Sequence, residues 1–426
     1  MTRIQIVSSS DTVGGASRAA YRLFCALNKA GSAAEMTVAE KKTDDWRVTG
    51  PATAAQRLAY FLRPKIGGCY TRLQRSANLN PHSVNILPSR WAGRVNGGTA
   101  DVVNLHWVGG EMMSIEDLGR IRKPIVWTMH DMWALCGAEH YTEAGGAARW
   151  AAGYCRDNRL PGSSGLDIDR YTWNRKRRAW KTPMHIVAPS RWLADCASRS
   201  HLLKDWPISV IPNVIDGAVF KPLDRSYSRH VLNLPEDKRI VLFGAMGGAR
   251  DARKGYDLLQ AALACLVNPR KNILCVVFGQ SEPRQTVPLP FPIRWMGHVG
   301  DDATLALLYS AADVMVTPSR QENLPQSATE AHACGCPVAA FRCTGLPDVV
   351  DHRLTGYLAD PFDPQDLARG MAWILAEPHR QAVLGAAARA KALRLWSATA
   401  VLPAYRAVFD AAAGRQLPLL AAAQAG

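Results

Sequence analysis

Short apolar, β-branched runs alternate with helical patterns along the whole chain, and this alternation restricts the fold more than any other feature. Near-continuous apolar strands separated by helices are typical of parallel sheets covered on both faces. The pattern restarts near residue 239, after the proline-rich stretch 206–226. We therefore predict an α/β protein with two doubly wound Rossmann-like domains. The predicted strands are 4–7, 34–38, 101–105, 124–129, 185–189, 239–244, 272–279, 292–297, 313–318 and 337–341.

A chain of 426 residues is too long for one ordinary core, so two domains are expected. We place an N-terminal domain at 1–215, a C-terminal domain at 216–395, and at 396–426 a helical segment that returns to the N-terminal domain. Pro403 is expected to kink or break the helical region that follows residue 377. Ligands of doubly wound sheets bind beyond the carboxyl ends of the strands, so two such edges facing a central cleft would form the site.

Composition bounds the class of protein. Apolar residues make up 48% of the chain and charged residues 20%, and the ten cysteines are scattered without a disulfide framework. This usage favours a reducing, cytoplasmic location. The first residues are typical of a strand and not of a signal peptide, and no apolar run reaches the ~18 residues of a spanning helix.

The net charge of +15 is concentrated in the first half of the chain. Residues 46–100 contain no acidic residue, and a second basic cluster lies at 170–181. Such clusters are either solvated faces or sites for an anionic partner such as lipid head groups or a lipid-linked diphosphate. No nucleic-acid-binding module is evident, so nucleic acid is not an expected partner.

Apolar residues between the cations at 57–66 predict an interfacial helix on an anionic membrane surface. The candidate acceptor or membrane contacts are Arg63, Lys65, Arg72 and Arg75.

The segment 318–341, PSRQENLPQSATEAHACGCPVAAF, predicts a strand end, a polar loop and a helix that begins near Gln326. Glu322 lies in the loop and Glu330 in the helix, about 12 Å further along the axis if both were helical. Two acids so far apart would grip different parts of one elongated ligand. The helix start between them suits a diphosphate. The alternative is a surface loop followed by an ordinary helix.

This segment resembles the donor-binding signature of retaining GT-B glycosyltransferases of family 4: a glutamate, seven residues, a second glutamate, then Ala-Cys-Gly and Pro-Val. Here these are Glu322, Glu330, 333–335 and 337–338. The resemblance implies a GT-B fold, with Glu322 on the hydroxyls of the transferred sugar and Glu330 on the ribose. It places Asn323, Leu324 and Ser327 at the donor as well. The loop, ENLPQS, departs from the commoner Gly-Phe-Gly version.

The glycine-rich stretch 244–259 follows a predicted strand and carries Arg250, Arg253 and Lys254. Glycines permit close approach of a diphosphate, and the cations would neutralise it. The alternative is a basic turn that caps a helix. The resemblance singles out Lys254 and one arginine upstream. That arginine's usual position is Gly248 here, which leaves Arg250 and Arg253 both open.

Two features of the first half complete the predicted site. The resemblance implies that the Gly14-Gly15 turn lets the backbone approach the donor phosphates and the acceptor, and that His130 lies beside the donor sugar. A structural histidine at the end of a buried strand is the alternative for His130. Related sequences carry more cysteines and histidines after this point, whereas this chain has only Cys136, His140 and Cys155. That set is too irregular for zinc, so no metal is predicted.

The sequence thus predicts a retaining, metal-independent glycosyltransferase that uses a UDP- or GDP-sugar and needs no cofactor. The acceptor would be a hydroxyl of a glycan or lipid-linked acceptor, in bacterial cell-surface polysaccharide or lipopolysaccharide synthesis, and the enzyme would be peripheral on the inner face of the plasma membrane. The predicted catalytic residues are His130, Lys254 and Glu322. Two alternatives stay open: a sugar-nucleotide 2-epimerase on the same scaffold, and a non-catalytic glycan- or lipid-binding relative.

Overall fold

The computed structural model describes residues 1–142, 147–244, 251–266, 272–282 and 291–415. The chain divides into two compact units. Unit 1 contains Met1–Ile211 and the segment that starts at Val401, and unit 2 contains Pro212–Ala400. The expected boundaries, after residues 215 and 395, differ from these by four and five residues.

Unit 1 is built on a parallel sheet in the order β3-β2-β1-β5-β6-β8-β9, and β4 and β7 form a short antiparallel pair. The order reverses between β1 and β5, which pair directly with each other. The strands are β1 (Ile4–Ser10), β2 (Ala34–Glu40), β3 (Val48–Thr49), β4 (Gln74–Arg75), β5 (Val102–Leu105), β6 (Ile125–Thr128), β7 (Ser164–Gly165), β8 (His185–Ala188) and β9 (Ile208–Val210).

Helices lie between these strands and bury the apolar residues of the sheet. Every residue of β5 and β6 is buried, which explains why most of their residues are apolar. Ser190 caps the last helix before β9 by accepting a hydrogen bond from the Leu193 amide. The helices are α1 (Gly14–Lys29), α2 (Ala54–Thr71), α3 (Trp91–Gly97), α4 (Ile115–Gly119), α5 (Ala147–Ala152), α6 (Ile168–Ala179) and α7 (Arg191–Arg199).

Unit 2 has a parallel sheet in the order β12-β11-β10-β13-β14-β15, which reverses between β10 and β13. Its elements are α8 (Arg225–Val231), β10 (Arg239–Gly244), a 3₁₀ turn (Ala252–Lys254), α9 (Tyr256–Cys265), β11 (Ile273–Phe278), β12 (Ile293–Trp295), α10 (Asp302–Ala311), β13 (Val314–Thr317), α11 (Gln326–Ala333), β14 (Val338–Phe341), α12 (Leu346–Val349), β15 (Gly356–Ala359), α13 (Pro364–Ala376) and α14 (Pro378–Trp396). The prediction of two doubly wound α/β domains is confirmed.

The last helix, α15 (Ala398–Ala412), carries the chain back to unit 1. Tyr405 is buried there, and its hydroxyl lies 3.2 Å from the Thr128 hydroxyl at the end of β6. The expectation of a helix break at Pro403 is wrong, because α14 ends at Trp396 and Pro403 lies inside α15; a kink there stays a prediction. Ser397 has extended backbone (φ −66°, ψ 158°), and this residue separates the two helices.

Candidate functional site

The predicted donor residues of unit 2 follow β10 and β13, the two neighbouring strands between which the sheet order reverses. Ligands of doubly wound sheets bind at such a switch point, because the loops after the two strands turn to opposite sides and leave a crevice. The 3₁₀ turn Ala252–Lys254 comes after β10, and the loop 318–325 comes after β13. The topology thus brings the two predicted motifs to one edge of the sheet.

Gly255 lets the two loops touch. Its φ of +67° is in the left-handed region, and a Cβ there would lie 1.9 Å from the carbonyl oxygen of Pro318. The contact is continued by a backbone hydrogen bond of 2.8 Å from the Arg320 amide to the Arg253 carbonyl. Only glycine accepts both the backbone angle and the close approach. The side chain of Lys254 is therefore held directly beside the loop after β13.

The Lys254 ammonium donates to the Glu322 carboxylate, with 2.6 Å between Nζ and Oε1. The Ser319 hydroxyl donates to the same oxygen at 2.9 Å. Burial by itself would raise the pKa of Glu322, but the charges of Lys254 and Arg253 and these two hydrogen bonds lower it below its usual value. Glu322 is thus an ionised, 7% exposed carboxylate that is neutralised by a lysine from the neighbouring loop.

Arg253 also belongs to this group. Its Nη1 lies 3.9 Å from Glu322 Oε2 and donates to the carbonyl of Gln321 at 3.3 Å. Its Nη2 donates to Asp251 at 2.8 Å. Between the two arginines that the sequence left open, the structure brings Arg253 to the Glu322 loop. Arg250 and Gly248 lie outside the described residues.

The loop that carries Glu322 is fixed from the other side by the turn after β14. The Glu322 amide donates to the Thr344 hydroxyl at 3.0 Å, and the Gly345 amide donates to the Glu322 carbonyl at 2.9 Å. A Cβ on Gly345 would lie 1.5 Å from the Asn323 carbonyl oxygen. Asn323 and Leu324 are both buried in this packing. The shape of the loop is therefore set by contacts with a segment more than twenty residues away.

Glu330, the second predicted acid, lies in α11 and is buried. It accepts a hydrogen bond of 2.7 Å from the hydroxyl of Tyr309 on α10. Ser327 is partly exposed in the first turn of α11, and the residue before the helix, Pro325, provides no side-chain cap. The two acids are thus held separately, one in the loop and one in the helix, with the helix start between them.

Sequence reasoning missed three residues that support the site, namely Tyr309, Thr344 and Gly345. A buried tyrosine needs a partner for its hydroxyl, which is the one signal that could have pointed to Tyr309. The other residues act through contacts between segments that are far apart in sequence, which no local pattern predicts.

In unit 1 the Gly14-Gly15 turn comes directly after β1, beside the switch point between β1 and β5. Gly14 has φ +85° and begins α1 without a side-chain cap at Val13. A cavity of about 680 Å³ opens here and is lined by this turn, by the segment after β5 and by α2. Its lining includes Gly14, Gly15, Lys42, Arg57, Tyr60, Phe61, Arg63, Trp107 and Gly109. The cavity at the carboxyl ends of β1 and β5 is therefore large enough to bind a small molecule within unit 1.

His130, which follows β6, is stacked on His106 with ring centroids 5.1 Å apart. Asn104 donates its amide hydrogens to Val126 and Thr128, so its oxygen accepts from His106 Nε2 at 3.0 Å. His106 Nδ1 then accepts from His130 Nε2 at 2.9 Å. Burial lowers the pKa of His130 to about 4 and holds that of His106 well below its usual value. His130 is therefore a neutral imidazole whose Nδ1 carries a lone pair.

His140, one of the three residues weighed for zinc, is engaged in a different network. Its Nδ1 lies 2.6 Å from Asp131, and its Nε2 lies 2.7 Å from the Ser83 hydroxyl. Asp131 also accepts from the Trp107 indole at 2.9 Å. Among the described residues, the group with metal-ligand spacing is another one in unit 1: His82, Glu139 and Asp169.

The candidate acceptor or membrane cations divide into two kinds. Arg63 is half-buried, lines the 680 Å³ cavity, and donates to the backbone carbonyls of residues 87, 88 and 111. Lys65, Arg72 and Arg75 are exposed. The Lys65 ammonium lies 3.8 Å from the centroid of the Phe61 ring.

The second basic cluster is partly internal as well. Lys176 is fully buried on α6, lies 3.7 Å from the centroid of the Trp133 ring, and donates to the Gly137 carbonyl at 2.7 Å. Burial lowers its pKa to about 7. Arg175 is buried and pairs with Glu116 at 2.6 Å. Among the helices that the structure describes, none combines the length and apolar character needed to cross a bilayer.

Comparison with known proteins gives matches to two family models over most of the chain. "Glycosyltransferase Family 4" matches residues 13–218, and "Glycosyl transferases group 1" matches residues 224–391. The chain belongs to the family 4 glycosyltransferases. The family resemblance predicted from the glutamate motif is thereby confirmed. Both predicted donor motifs of this glycosyltransferase, 251–255 and 318–335, lie within the second match.

The curated relatives of this family 4 chain include proteins named D-inositol 3-phosphate glycosyltransferase. The one from Segniliparus rotundus is 33% identical over 214 residues, 47% of this chain and 47% of the relative. The one from Thermobifida fusca is 35% identical over 215 residues, 46% and 49% of the two chains. A third, from Catenulispora acidiphila, is 27% identical over 75% of each chain. The matched region spans about half the length of the first of these relatives.

Solved structures show the same fold at low identity. Sucrose-phosphate synthase from Thermosynechococcus elongatus has a TM-score of 0.65 at 19% identity, and the match covers 96% of this chain and 100% of that one. HepE from Anabaena, solved with UDP-glucose, has a TM-score of 0.62 at 16% identity over 96% and 100%. WaaG, a glycosyltransferase of lipopolysaccharide biosynthesis, has a TM-score of 0.61 at 16% identity over 96% and 98%. The prediction of a GT-B fold is confirmed.

Proposed function

We propose that this protein transfers a sugar from a nucleoside-diphosphate sugar to a hydroxyl group, with retention of the anomeric configuration. The observation that carries the proposal is the pairing of Lys254 and Glu322 at the switch point of unit 2, 2.6 Å apart. A lysine and an acid on neighbouring loops can divide one ligand between them, the cation taking a phosphate and the carboxylate taking sugar hydroxyls. Family membership and the named activity of the relatives support this reading.

The proposed chemistry is stabilisation of a leaving diphosphate. Departure of the nucleoside diphosphate leaves an oxocarbenium-like sugar and places negative charge on the phosphate oxygens. Lys254, Arg253 and the first turn of α11 would stabilise that charge, because preformed cations and N–H groups need no reorganisation during the reaction. In a front-face attack the leaving phosphate accepts the proton of the acceptor hydroxyl. Glu322 would hold sugar hydroxyls, and Glu330 would hold the ribose.

The family resemblance assigns His130 to the donor sugar, towards which it would act as a hydrogen-bond acceptor. Its neutral ring donates through Nε2 to His106, so Nδ1 is the atom left for a sugar hydroxyl. Cations of the chain take the place of a metal in this scheme, and we expect turnover without added divalent cations.

The acceptor proposal rests on the cavity of about 680 Å³ in unit 1. Its lining combines the Gly14-Gly15 turn with Lys42, Arg57 and aromatic side chains of α2, which suits a hydroxylated acceptor that also carries phosphate. A glycan or lipid-linked diphosphate of a bacterial surface polysaccharide is one such acceptor. The phosphorylated inositol in the names of the relatives is another.

The direct test is turnover of UDP- and GDP-sugars with two acceptor preparations, inositol 3-phosphate and a bacterial lipid extract. Release of the nucleoside diphosphate that depends on acceptor would support transfer, and NMR of the product would show whether the configuration is retained. Product from nucleotide sugar alone would favour the 2-epimerase. Calorimetry that detects no binding of any UDP- or GDP-compound would favour a non-catalytic relative.

We further propose that α2 lies on an anionic membrane surface. This helix leaves a row of apolar side chains exposed: Leu58 (57%), Phe61 (62%), Leu62 (40%), Ile66 (44%) and Tyr70 (38%). Arg57, Lys65 and Arg72 lie among them and are also exposed. An exposed apolar row flanked by cations is typical of helices that lie in the head-group region. Because α2 also lines the 680 Å³ cavity, a lipid-linked acceptor could reach the cavity from the membrane.

Liposome flotation tests this second proposal. The double substitution Phe61→Ser and Leu62→Ser should reduce binding to vesicles containing phosphatidylglycerol by at least about tenfold, since two side chains no longer enter the interface. Leu354→Ser, which changes a leucine that is 59% exposed in unit 2, is the matched control. The proposal would be refuted if vesicle binding were unchanged by the α2 substitutions and by the content of anionic lipid.

A further inference from the structure

Three buried atoms of the kinds that bind metal ions meet in unit 1, and their residues have no role in the proposed transfer reaction. His82, Glu139 and Asp169 each offer one ligand atom, and these atoms all lie within 4.8 Å of one another. Their fully buried polar atoms are His82 Nε2, Glu139 Oε2 and Asp169 Oδ1. Among the described protein residues, none of the three atoms has a hydrogen-bond partner. Glu139 is only 4% exposed and Asp169 only 5%. Buried carboxylate oxygens without partners are costly, so this arrangement calls for a cation or a proton.

The fold brings these residues together from separate segments. His82 and Glu139 face each other in an antiparallel β-bridge, flanked by backbone hydrogen bonds between Ser83 and Ala138 and between His140 and Pro81. Asp169 comes from the first turn of α6. Gly137 allows the approach, because a Cβ there would lie 2.5 Å from the Asp169 carbonyl oxygen.

Each of the three side chains is also held by its outer atom. His82 Nδ1 donates to the Asn80 carbonyl at 2.6 Å, which directs the lone pair of Nε2 into the cluster. Asp169 Oδ2 accepts from the Gln74 amide at 2.5 Å, and Glu139 Oε1 accepts from the Tyr154 hydroxyl. Outer atoms fixed by hydrogen bonds and inner atoms converging on one point are the pattern of an oriented metal-ligand set.

We propose that His82, Glu139 and Asp169 bind a divalent transition metal ion, with zinc the best match. The 3.5 Å between His82 Nε2 and Asp169 Oδ1 is close to the edge of a tetrahedron with metal–ligand bonds of about 2.1 Å, which is roughly 3.4 Å. One imidazole and two carboxylates suit Zn²⁺ better than Mg²⁺ or Ca²⁺, which prefer oxygen-only sets. The metal would tie α6 to the two bridged segments.

A route to the ion exists on the His82 side. The His82 side chain is 12% exposed and lines a cavity of about 320 Å³, together with Gln74 and Asn80. A fourth ligand, water or a small anion, could enter there. This site differs from the set of Cys136, His140 and Cys155, for which no metal was predicted. Of its three ligands only Glu139 lies in that segment, and His82 and Asp169 come from other parts of the chain.

The competing account is a proton shared between the two carboxyl groups. The two accounts predict opposite results for Glu139→Gln. With a metal, the variant loses a ligand and therefore its ion. With a shared proton, the glutamine amide can donate to Asp169 in place of the carboxyl, so stability would be unchanged or higher.

The experiment measures bound metal and stability in the full chain, without using activity. Protein purified without a histidine tag or chelator should contain about one equivalent of zinc by elemental analysis. Removal of the ion with dipicolinate should lower Tm by roughly 5 °C, and Zn²⁺ added alone should restore it. Glu139→Gln and Asp169→Asn should contain little zinc, and their Tm should not respond to Zn²⁺. Asp157→Asn, at an exposed aspartate of unit 1, should behave like the unchanged protein.

Two results would overturn the proposal. One is unchanged protein that contains no transition metal and shows the same Tm with and without Zn²⁺. The other is a Glu139→Gln variant that contains as much zinc as the unchanged protein, or whose Tm equals that of the zinc-loaded unchanged protein. Both readouts apply to wild-type protein as well as to variants, so a variant that fails to fold does not prevent a decision.

Discussion

At the scale of single residues, the surroundings of Glu322 and His130 determine whether each side chain is charged. Glu322 is buried, yet Lys254 at 2.6 Å and Arg253 at 3.9 Å keep it ionised. His130 is the opposite case, since burial without an adjacent carboxylate hydrogen bond keeps it neutral. Unit 2 thus holds a charged hydrogen-bond acceptor in Glu322, and unit 1 holds an uncharged one in His130.

Replacement of Lys254 by alanine should lower kcat/KM about 100- to 1000-fold, because the leaving diphosphate loses one preformed cation. Initial rates with a saturating acceptor would measure the loss. Lys221→Ala, at an exposed lysine of the same unit, should leave the rate unchanged. Equal rates for Lys254→Ala and the unchanged protein would remove Lys254 from the proposed site.

The neutral histidines predict an acid-dependent loss of stability. The pKa of His130 is about 4 in the folded chain and near 6.5 when exposed, so between these values the unfolded chain binds the extra proton. Stability should therefore fall as pH decreases from 6.5 to 4. His130→Gln should lose less over this window than the unchanged protein, measured by urea unfolding at several pH values. His230→Gln, at an exposed histidine, should keep the original dependence, and an identical dependence in His130→Gln would contradict the assignment.

At the scale of elements, the loops after β10 and β13 depend on close backbone contacts. The 3₁₀ turn after β10 can meet the loop after β13 only because residue 255 has no side chain. The same principle acts at Gly345, beside the carbonyl of Asn323. Helix α11 then starts from a loop that is fixed on both sides.

Gly255→Ala should separate Lys254 from Glu322 and weaken nucleotide binding, because the new methyl group would lie 1.9 Å from the Pro318 carbonyl oxygen. Gly297→Ala is a matched control: its φ of +66° is nearly the same as the +67° of Gly255. Apart from its chain neighbours, no described residue has an atom within 4 Å of its Cβ. We expect Gly297→Ala to cost only the backbone strain, about 1–2 kcal/mol. Calorimetric titration with UDP and GDP, together with Tm, would compare the two. Equal losses of affinity would mean that the contact with Pro318 does not position Lys254.

At the scale of the whole molecule, the chain passes from unit 1 to unit 2 after Ile211 and returns after Ala400. Several residues of α15 are anchored in unit 1. Arg406 donates to the Ala30 carbonyl at 2.6 Å, and Asp410 accepts from the Thr2 hydroxyl at 2.5 Å. The first residues of the chain and its last described helix therefore stabilise the same unit.

Tyr405→Ala should destabilise unit 1 by roughly 3–5 kcal/mol, since it leaves a cavity at a site that is 1% exposed and removes the hydrogen bond to Thr128. Hydrogen exchange in β6 and β8 should accelerate, while exchange in the unit 2 sheet should stay the same. Tyr227→Ala, at a tyrosine that is 62% exposed, should have little effect on either unit. Uniform acceleration in both units would contradict the assignment of α15 to unit 1.

The long buried strands could be predicted because each is a continuous apolar run, such as β11 (Ile273–Phe278). The strands that were missed are short, and all five lie at sheet edges: β3, β9 and β15 end the two parallel sheets, and β4 and β7 form the two-stranded pair. Edge strands bury fewer residues and therefore leave a weaker pattern. The proximity of Lys254 and Glu322 could be predicted because they follow strands whose ends share one edge of a parallel sheet.

The sequence by itself determined the α/β class, the two doubly wound sheets and the family, because these depend on local periodicity and on motifs read along the chain. Only the tertiary structure decided which cations are exposed: Arg63 and Lys176 read as parts of basic clusters but are used internally, by backbone carbonyls. It alone joined His82, Glu139 and Asp169. Contacts between residues far apart in sequence arise from how helices and loops pack, and no local pattern encodes that packing.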